Sequence, residues 1–448
     1  MIERLLVLGA SGDLTSRLLL PAVAQLAEAG LLPPDFAIMG AADTEWSTGE
    51  FREHVATELA RQSSVGATAR DGVLGSLSYR AMDVTDTGEV RRLVGEDHPA
   101  TLVYLALPPP LFEPVTTALS GTLGSRDAVA IEKPFGVDLD SARHLNELIR
   151  VRLATPTIFR VDHFLSHELV LRILVLRFLN RVFEPVWNAV HVDRVDISYL
   201  ESLTLEGRAR YYDSAGALKD MVQNHLMEVM TLVLMDQPAR VDEHSLRNAR
   251  VEALRTVATP RAQDLQTSSV RARYTGGVIG SRQVPSYVDE PGVDPGRGTE
   301  TYAALTLEVE SGRWAGVPFT LRSGKALAED SAEIAIHFRA MPRYMQERWP
   351  TVEPNVLRVS LKDPTVQLST TLNGETAAES HQLEARPGTS GRHPYSSLFL
   401  QMLRQDPTLF VRGDEAEEAW RIVDPVLAVW DAGEVPMREY RAGGPPPR

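Results

Sequence analysis

Two stretches of the chain carry side chains that could perform proton transfer. The first, Arg160-Val-Asp-His-Phe-Leu-Ser-His-Glu168, lies between an apolar run at 157–159 and another at 169–179. Because a charged cluster between two buried elements is costly unless it has partners, this stretch predicts a site at a turn from strand to helix. The second stretch, Tyr211 to His225, has helical spacing and places His225 on an otherwise apolar face near Asp220.

The histidine at 225 has two interpretations. A lone histidine on an apolar helical face is more often a core residue than a catalytic one. The polar neighbours Asp220, Gln223 and Asn224 favour a site, in which a neutral imidazole can accept a proton near pH 7. Asp213 is predicted to cap the helix that follows it.

A glycine-rich turn follows the first apolar run of the chain. It contains Gly9, Ser11, Gly12, Asp13 and Leu14. Glycines directly after a first strand let the backbone approach a pyrophosphate, with the amino terminus of the next helix facing it. Since the turn is not a full G-x-G-x-x-G motif, an ordinary tight turn is the alternative.

The elements that must position these residues alternate in the first third of the chain. Apolar runs at 5–8, 36–39, 102–107, 128–131 and 158–161 are separated by helix-forming stretches. This order indicates a parallel, doubly wound sheet. Ser47 and Glu50 form a capping box that predicts a helix beginning near Phe51.

Beyond about residue 190 the pattern changes. Polar and apolar residues alternate at 192–199, 302–309, 333–338, 355–361 and 366–372. Most of these runs have no helix between them, which predicts an antiparallel sheet. One strong helix is predicted at 215–235, and the segment 285–298 is predicted to be a long loop.

Composition narrows the function classes. The 448 residues are too many for one ordinary core, so two or more domains are expected. The net charge of -14 argues against a general nucleic-acid binder or a binder of anionic membranes. The absence of cysteine excludes disulfides and thiolate metal sites and fits a reducing, cytoplasmic compartment. Neither a signal peptide nor an apolar run of membrane-spanning length is found.

Several motifs closely resemble those of the glucose-6-phosphate dehydrogenases. The stretch at 160–168 is similar to that family's R-I-D-H-Y-L-G-K-E, and the stretch at 211–225 to its Y-x-D-x-x-G-x-L-R-D-M-V-Q-N-H. Further similar segments are Gly9 to Pro21, Glu132 to Gly136, Arg313 to Phe319, Leu321 to Lys325 and Ala419 to Pro425. The resemblance therefore extends over nearly the whole chain.

The resemblance implies both a fold and a reaction. The fold is a Rossmann-like α/β dinucleotide-binding domain at 1–162, then a β+α (α+β) domain at 163–448 with a large antiparallel sheet that binds substrate and mediates oligomerisation. The reaction is hydride transfer from C1 of a pyranose to NAD or NADP, a step of the pentose phosphate pathway of glucose metabolism. By family analogy a homodimer or homotetramer is expected, and no metal is needed.

The resemblance also implies roles for individual residues. His225 is implied to be the general base, and Asp162 the carboxylate that orients it and stabilises its cation. The implied sugar contacts are Lys133, His163, His167, Glu201, Asp220 and Lys325. The implied cofactor contacts are Gly9, Ser11, Gly12, Asp13, Leu14, Asp43, Pro108 and Lys133.

Asp43 departs from the NADP-preferring members of that family. They have an arginine just beyond the second strand, where this chain reads Gly40-Ala-Ala-Asp43. A carboxylate there accepts hydrogen bonds from a ribose 2′-hydroxyl and repels a 2′-phosphate. A solvated turn aspartate is the alternative, although Ser47 is the better cap for the nearby helix. We therefore expect NAD to be used at least as well as NADP.

Further departures fall where the family binds the substrate phosphate. Phe164 replaces a tyrosine, His167 replaces a lysine, and Asp330 stands at a basic position. Lys362 stands in place of a glutamine that touches the sugar, and adds a positive charge. Because each lost charge-assisted bond contributes roughly 1.5–3 kcal/mol, these changes are expected to weaken phosphate binding.

Three hypotheses remain open at this point. The first is a glucose-6-phosphate dehydrogenase with a rearranged anion site, and the second an NAD-dependent dehydrogenase of another, unphosphorylated or differently substituted sugar. The third is a catalytically silent protein that binds a sugar phosphate or a nucleotide. The whole-chain resemblance favours the first, and the retained Asp162, His225, Lys133 and Lys325 argue against the third.

Overall fold

The structure is a computed structural model that describes residues 1–61, 65–164, 168–240, 242–373, 378–388 and 394–447. It divides into two compact units. The first unit comprises Met1–His167, Arg240–Arg247 and Ser390–Glu417, and the second comprises Glu168–Ala239, Asn248–Thr389 and Glu418–Arg448. Within the described residues, no helix combines the length and the apolar character that a membrane crossing requires.

A six-stranded parallel sheet forms the centre of the first unit. Its strands are β1 (Arg4–Leu8), β2 (Ala37–Ala42), β3 (Leu77–Ala81), β4 (Thr101–Leu105), β5 (Ala128–Glu132) and β6 (Thr157–Val161). Their spatial order is β3-β2-β1-β4-β5-β6, so the direction of winding reverses between β1 and β4. In sheets of this kind ligands bind beyond the carboxyl ends of the strands near that reversal.

The predicted doubly wound sheet is confirmed. Helices separate its strands, at Leu20–Glu28, Thr48–Ala60, Ala67–Ser76, Thr87–Val94, Phe112–Leu119 and Leu139–Arg152, and Pro394–Arg404 completes the unit. The capping box is present: the Ser47 side chain accepts from Glu50 N, and the Glu50 side chain accepts from Ser47 N. The prediction omitted β3, whose alternating Leu-Ser-Tyr-Arg-Ala sequence buries only Leu77 and Tyr79.

A nine-stranded sheet forms the centre of the second unit. Its strands are β7 (Val192–Leu200), β8 (Ser269–Thr275), β11 (Tyr302–Leu307), β12 (Phe319–Gly324), β13 (Ser331–Phe338), β14 (Val356–Ser360), β15 (Val366–Asn373), β16 (Ala378–Ala385) and β17 (Met437–Arg441). A separate hairpin pairs β9 (Gly277–Ile279) with β10 (Arg282–Val284). The order of the large sheet is β16-β15-β14-β13-β7-β12-β11-β8-β17.

The large sheet is mostly antiparallel, as predicted, but it is a mixed sheet. Among the described strands, β12 pairs with β7 in parallel and β17 pairs with β8 in parallel. The parallel pair brings the ends of β7 and β12 to the same edge. The remaining helices are Glu168–Phe178, Ala209–Ala217, Met227–Leu234, Glu243–Arg255, Ala262–Ser268, Arg343–Arg348 and Gly413–Asp431.

The helix predicted at 215–235 is composite. An α-helix at Ala209–Ala217 is followed by a π-helical segment at Leu218–Leu226 and a second α-helix at Met227–Leu234. The break lies at Gly216, whose φ of 70° is accessible mainly to glycine. The prediction that Asp213 caps the helix is wrong, since Asp213 lies inside the first helix and its carboxylate accepts from Tyr287 Oη at 2.6 Å and Arg297 Nη1 at 2.9 Å.

The far end of this composite helix is fixed by Arg177. The Arg177 guanidinium is fully buried and donates to the carbonyl oxygens of Leu232, Val233 and Met235 at 2.8–3.0 Å. These carbonyls lack partners within the helix because they belong to its last turn. The guanidinium also pairs with Glu184 at 3.2 Å. A buried cation thus determines where the helix ends.

A half-buried carboxylate lies at the carboxyl end of β5 in the first unit. The Glu132 carboxylate accepts hydrogen bonds from Tyr104 Oη and from Tyr395 Oη, the latter at 3.2 Å. Burial raises the pKa of Glu132 to about 7, with a smaller effect of the nearby Asp162 charge, while the two tyrosines oppose the shift. Ionised Glu132 is therefore disfavoured in the folded chain relative to the unfolded chain.

This shift predicts a pH-dependent stability difference between the protein and its Glu132→Gln variant. Because the pKa of Glu132 is higher in the folded than in the unfolded chain, the contribution of Glu132 to stability is fully present below the ordinary glutamate pKa. This contribution is lost as pH rises to about 7. Between about pH 5 and pH 8, the free energy of unfolding of the variant should rise relative to that of the unmodified protein, by up to roughly 3 kcal/mol. Chemical unfolding at several pH values measures the difference, in which titrations shared by both proteins cancel.

The exposed residue Glu96 provides the matched control for this measurement. Glu96→Gln should follow the pH dependence of the unmodified protein. If Glu132→Gln and the unmodified protein give parallel stability curves, the Glu132 carboxyl does not titrate in this range.

Candidate active site

The first glycine of the chain makes the turn after β1 possible. Gly9 has a φ of 88°, and a Cβ at this position would lie 2.2 Å from the carbonyl oxygen of Ala106. No larger residue fits such a close approach of two backbones. The turn continues through half-buried Ser11 and Leu14 and exposed Gly12 and Asp13.

The turn after β2 places Asp43 beside a group of aromatic side chains. Asp43 follows the last residue of β2 and is exposed. The Tyr79 hydroxyl donates to the Thr44 carbonyl oxygen at 2.8 Å, and the Tyr79 ring packs against Phe51 with centroids 4.9 Å apart. Ser47, and not Asp43, caps the next helix, as predicted.

The ends of β4 and β5 bring Pro108 and Lys133 to the same edge of the sheet. Pro108 is exposed and precedes a short 3-10 turn, and Lys133 directly follows Glu132 and is half-buried. A cis peptide bond joins Lys133 to Pro134. The hydrogen-bonded Glu132 carboxylate fixes the residue next to Lys133.

The end of β6 carries Asp162 and His163. Asp162 is 2% exposed, and its Oδ1 accepts from Phe164 N at 2.9 Å, which turns the chain sharply after the strand. His163 is half-buried and stacks on Tyr395 with ring centroids 5.9 Å apart. Phe164 is buried. His167, the next candidate, lies outside the described residues.

Arg160, in β6, is a structural cation rather than part of the site edge. Its guanidinium donates to Asn146 Oδ1 at 2.6 Å. Burial lowers its pKa to about 10, and Asp414 and Glu417 act against this shift. Asn146 in turn donates to the Gly413 carbonyl oxygen at 2.8 Å, so the buried charge links β6 to the helix beginning at Gly413.

In the second unit, Lys325 and Glu201 meet at the ends of adjacent strands. Lys325 Nζ lies 2.7 Å from Glu201 Oε2, and both side chains are largely buried. The pair follows from the parallel register of β7 and β12, in which Leu200 is opposite Gly324. Lys325 Nζ also lies 5.5 Å from the centroid of the Tyr212 ring. The sequence predicted both residues of the pair but not the tyrosine beneath it.

The π-helical segment 218–226 carries Asp220 and His225 and packs against β7, β11 and β12. Tyr211 Oη donates to Asp220 Oδ1 at 3.2 Å, an interaction that the sequence did not predict. His225 is 3% exposed, between the buried residues Val222 and Leu226. π-Helical turns are rare and frequently occur at functional sites, because they change the direction of side chains within a helix.

Asp330 and Lys362, the two departures near the expected phosphate, form an ion pair. Asp330 Oδ1 also accepts from Ser202 N at 2.6 Å and from Ser202 Oγ at 2.7 Å. Lys362 and these donors lower the pKa of Asp330 to about 2. The carboxylate is therefore ionised, and Lys362 partly neutralises it instead of offering a separate cation.

The predicted residues thus form one group in each unit. In the first unit, Gly9, Asp43, Pro108, Lys133 and Asp162 all follow carboxyl ends of parallel strands. In the second unit, Glu201 and Lys325 lie at neighbouring strand ends, and Asp220 and His225 lie on the segment that packs on those strands.

The first group fits a dinucleotide. Gly9 packs on Ala106 and Gly40 packs on Ala10 so closely that a Cβ would lie 2.2 Å and 2.7 Å from them, respectively. The N–H groups of Gly9 and Ala10 donate to the Ala41 carbonyl oxygen at 2.8 and 3.1 Å, so the turn after β1 lies against the end of β2. In sheets of this kind that edge binds the pyrophosphate and a ribose of a dinucleotide.

Comparisons with known proteins agree with this arrangement. Residues 6–171 match the family model for the glucose-6-phosphate dehydrogenase NAD binding domain, and residues 174–448 match the model for the C-terminal domain. The glucose-6-phosphate 1-dehydrogenase of Treponema pallidum is 36% identical, covering 98% of this chain and 91% of its own. That of Zymomonas mobilis is 33% identical, covering 99% and 95%.

Solved structures give the same result. A glucose-6-phosphate dehydrogenase in complex with its substrate glucose-6-phosphate has a TM-score of 0.88 at 29% identity, covering 100% of this chain and 96% of its own. The Mycobacterium avium glucose-6-phosphate 1-dehydrogenase has a TM-score of 0.87 at 32% identity, covering 99% and 94%. The fold class expected from the sequence is confirmed, and the chain belongs to the glucose-6-phosphate dehydrogenase family.

Proposed function

We propose that the protein oxidises glucose 6-phosphate at C1 to the lactone, with NAD or NADP as hydride acceptor. The relatives of similar length are glucose-6-phosphate 1-dehydrogenases, and one similar structure is a complex with glucose-6-phosphate. They favour this substrate over the alternative of a different sugar. Residues 1–162 would bind the cofactor, and residues 163–448 the sugar and a second copy of the chain.

The observation that carries the proposal lies within the second unit. The segment 218–226, with Asp220 and His225, packs on the strands whose ends hold the Lys325–Glu201 ion pair. A sugar has several hydroxyls that each need a donor or an acceptor. Asp220 on the segment and the Lys325–Glu201 pair at the strand ends supply both kinds of partner.

His225 is the proposed general base. The C1 hydroxyl must lose its proton as the hydride leaves, and a neutral imidazole can accept it near pH 7. Asp162 is proposed to orient the imidazole and to stabilise its cation, as a carboxylate does in other catalytic dyads. The Phe164 N–H that donates to Asp162 Oδ1 fixes the orientation of this carboxylate, which the role requires. Lys133, Glu201, Asp220 and Lys325 are proposed to hold the sugar hydroxyls.

The proposed cofactor contacts are the residues of the first group. Gly9, Ser11, Gly12, Asp13 and Leu14 would hold the pyrophosphate, and Pro108 and Lys133 would border the nicotinamide. A bound nicotinamide dinucleotide supplies the hydride acceptor. Asp43 would accept hydrogen bonds from an adenosine ribose hydroxyl, and this role favours NAD.

The proposed phosphate contacts are His163 and His167, with Phe164 unable to donate a hydrogen bond. The ion pair of Asp330 with Lys362 lies beyond the end of β7 that carries Glu201 and Ser202. Since the pair is nearly neutral as a whole, it repels a phosphate dianion less than an isolated aspartate would. We expect a weaker, histidine-dependent phosphate site rather than none.

The decisive experiment for the reaction is a substrate panel with the protein and His225→Asn. The protein should oxidise glucose 6-phosphate faster than glucose, glucosamine 6-phosphate or galactose with NAD or NADP at saturation. His225→Asn should lower kcat by about 100-fold or more, the usual contribution of a general base, while dinucleotide binding is unchanged. Absorbance of the reduced cofactor and calorimetric binding measure the two properties.

His337, which pairs with Asp196 at 3.1 Å, provides a control histidine in the same unit. His337→Asn should keep the kcat of the unmodified protein. Retained activity in His225→Asn would rule out its role as base, and faster turnover of another sugar would rule out the proposed substrate.

Cofactor choice is tested by Asp43→Asn. Removing the carboxylate removes its repulsion of a 2′-phosphate and weakens its bond to a ribose hydroxyl. The ratio of kcat/KM for NADP to that for NAD should rise by about tenfold. Glu45→Gln, two residues away and also exposed, should leave the ratio unchanged. A strong NADP preference in the unmodified protein would contradict the assignment of Asp43.

The phosphate end is tested by Asp330→Asn. An amide oxygen can still accept from Ser202, but Lys362 is released from its ion pair and can attract an anion. The KM for glucose 6-phosphate should fall by about two- to fivefold, the range for a partly exposed charge, while the KM for unphosphorylated glucose stays constant. Asp363→Asn, a nearby exposed carboxylate, is the control. An equal effect on both sugars would place Asp330 away from the phosphate.

A further inference from the structure

A buried carboxylate lies at the start of the segment that carries Asp220 and His225. Glu300 Oε1 accepts the backbone N–H of Leu218, the first residue of the segment, at 2.8 Å. Glu300 is 8% exposed. The first N–H groups of a helix have no partner within the helix, so this bond supplies one of them. A carboxylate at a helix amino terminus also interacts favourably with the helix dipole.

The backbone at Gly216 is shaped around this carboxylate. A Cβ on Gly216 would lie 2.5 Å from Glu300 Oε1, and the φ of 70° there breaks the helix. Ala217 N also donates to the Glu300 carbonyl oxygen at 3.3 Å. The chain therefore contacts both the backbone and the side chain of Glu300 just before the segment begins.

Glu300 is itself held firmly by the large sheet. Its neighbour Thr301 donates its N–H to the Ala272 carbonyl oxygen at 2.8 Å and accepts from Lys325 N at 3.0 Å. The Thr301 hydroxyl lies 2.9 Å from Tyr440 Oη, which also donates to the Lys325 carbonyl oxygen at 2.6 Å. Adjacent residues thus hold the backbone of Lys325 and the start of the segment that carries His225.

The loop that leads to Glu300 also forms hydrogen bonds with the helix Ala209–Ala217. Asp213 Oδ2 accepts from Asp294 N at 3.1 Å, and Thr299 Oγ1 donates to the Asp213 carbonyl oxygen at 2.6 Å. The sequence predicted a long loop for this Pro- and Gly-rich stretch. In the structure the stretch connects the large sheet to the composite helix. Glu300 is the residue through which this stretch contacts the segment 218–226.

We propose that Glu300 is a positioning residue, which fixes the start of the segment 218–226 and thereby places Asp220 and His225 relative to Lys325. Burial raises the pKa of Glu300 to about 7, and the Leu218 bond, Arg271 and Lys219 oppose the shift. Such a burial is unfavourable for stability, which is understandable if the carboxylate serves alignment. The inference rests on the proposed function of His225 as base.

The test compares Glu300→Ala and Glu300→Gln by steady-state kinetics with glucose 6-phosphate deuterated at C1. Misplacing His225 should slow the chemical step, so Glu300→Ala should lower kcat per folded molecule by about tenfold, the value of a charge-assisted hydrogen bond. The deuterium isotope effect on kcat should rise, because hydride transfer becomes more rate-limiting. Glu300→Gln retains an acceptor for Leu218 N, so its kcat should fall only about threefold and its isotope effect should rise less.

Glu290 supplies the matched control. It lies in the same loop and accepts from Tyr274 Oη at 2.9 Å, away from the segment 218–226. Glu290→Gln should retain the kcat and the isotope effect of the unmodified protein, even if its melting temperature falls. A purely structural role of Glu300 would lower the folded fraction and leave the isotope effect unchanged, which would overturn the proposal.

Gly216→Ala provides a second variant should Glu300→Ala fail to fold. Its methyl group would displace the Glu300 carboxylate, so the isotope effect should rise as in Glu300→Ala. Unchanged isotope effects in Gly216→Ala and Glu300→Gln would overturn the inference, and if only Glu300→Gln folds, its isotope effect decides. If the unmodified protein does not oxidise glucose 6-phosphate, the proposed function itself fails. If His225→Asn is inactive but the Glu300 variants behave normally, only the inference fails.

Discussion

Buried charge must be matched by a partner, and this constraint fixes the backbone in each of the two units. A buried carboxylate or guanidinium without hydrogen bonds would cost several kcal/mol. Asp162 accepts a hydrogen bond from Phe164 N, and Glu300 accepts one from Leu218 N. Arg177 donates to three carbonyl oxygens at the end of a helix. In each case the partner is a backbone group at the end of an element, so satisfying the charge also determines where the element begins or ends.

The same constraint accounts for the structure around Asp330, where a proposed phosphate contact departs from the family. Aspartate at 330 would be a poor replacement for a cation if nothing else changed. Lys362 changes together with it, and the two side chains form an ion pair while Ser202 binds the other carboxylate oxygen. The exchange moves a positive charge rather than deleting it. Partly exposed charges of this kind are screened by solvent, so they are expected to change the affinity for a charged substrate severalfold without abolishing binding.

Sequence patterns predicted the features that local order determines. The apolar runs gave five of the six strands in the first sheet, and the capping box at Ser47 was correct because it involves residues three apart. The strand at 77–81 was missed because only alternate residues of a short polar run are buried. Motif similarity indicated Lys325 and Glu201 separately, as sugar contacts. It did not predict their ion pair, which depends on a parallel register that no local pattern encodes.

Most of the remaining errors and omissions concern contacts distant along the chain. Asp213 looked like a cap because its neighbours in sequence form a helix, but its partners Tyr287 and Arg297 come from a loop more than seventy residues away. Glu300 could not be associated with Leu218 for the same reason, since 82 residues separate them. The sequence indicated which side chains could act on a sugar. It did not indicate which side chains hold them in place.

Two carboxylates with raised pKa values, Glu132 and Glu300, complicate the identification of the proposed base. Glu132 and Glu300 both titrate near pH 7, close to the ordinary pKa of histidine at about 6.5. Ionisation of Glu300 strengthens its bond to Leu218 N, so it would raise activity over the same pH range in which a histidine base becomes neutral. An acid limb in a pH–rate profile would therefore report coupled groups rather than His225 alone. The double variant Glu132→Gln, Glu300→Gln removes both titrations, and an acid limb that survives in it is then attributable to the imidazole.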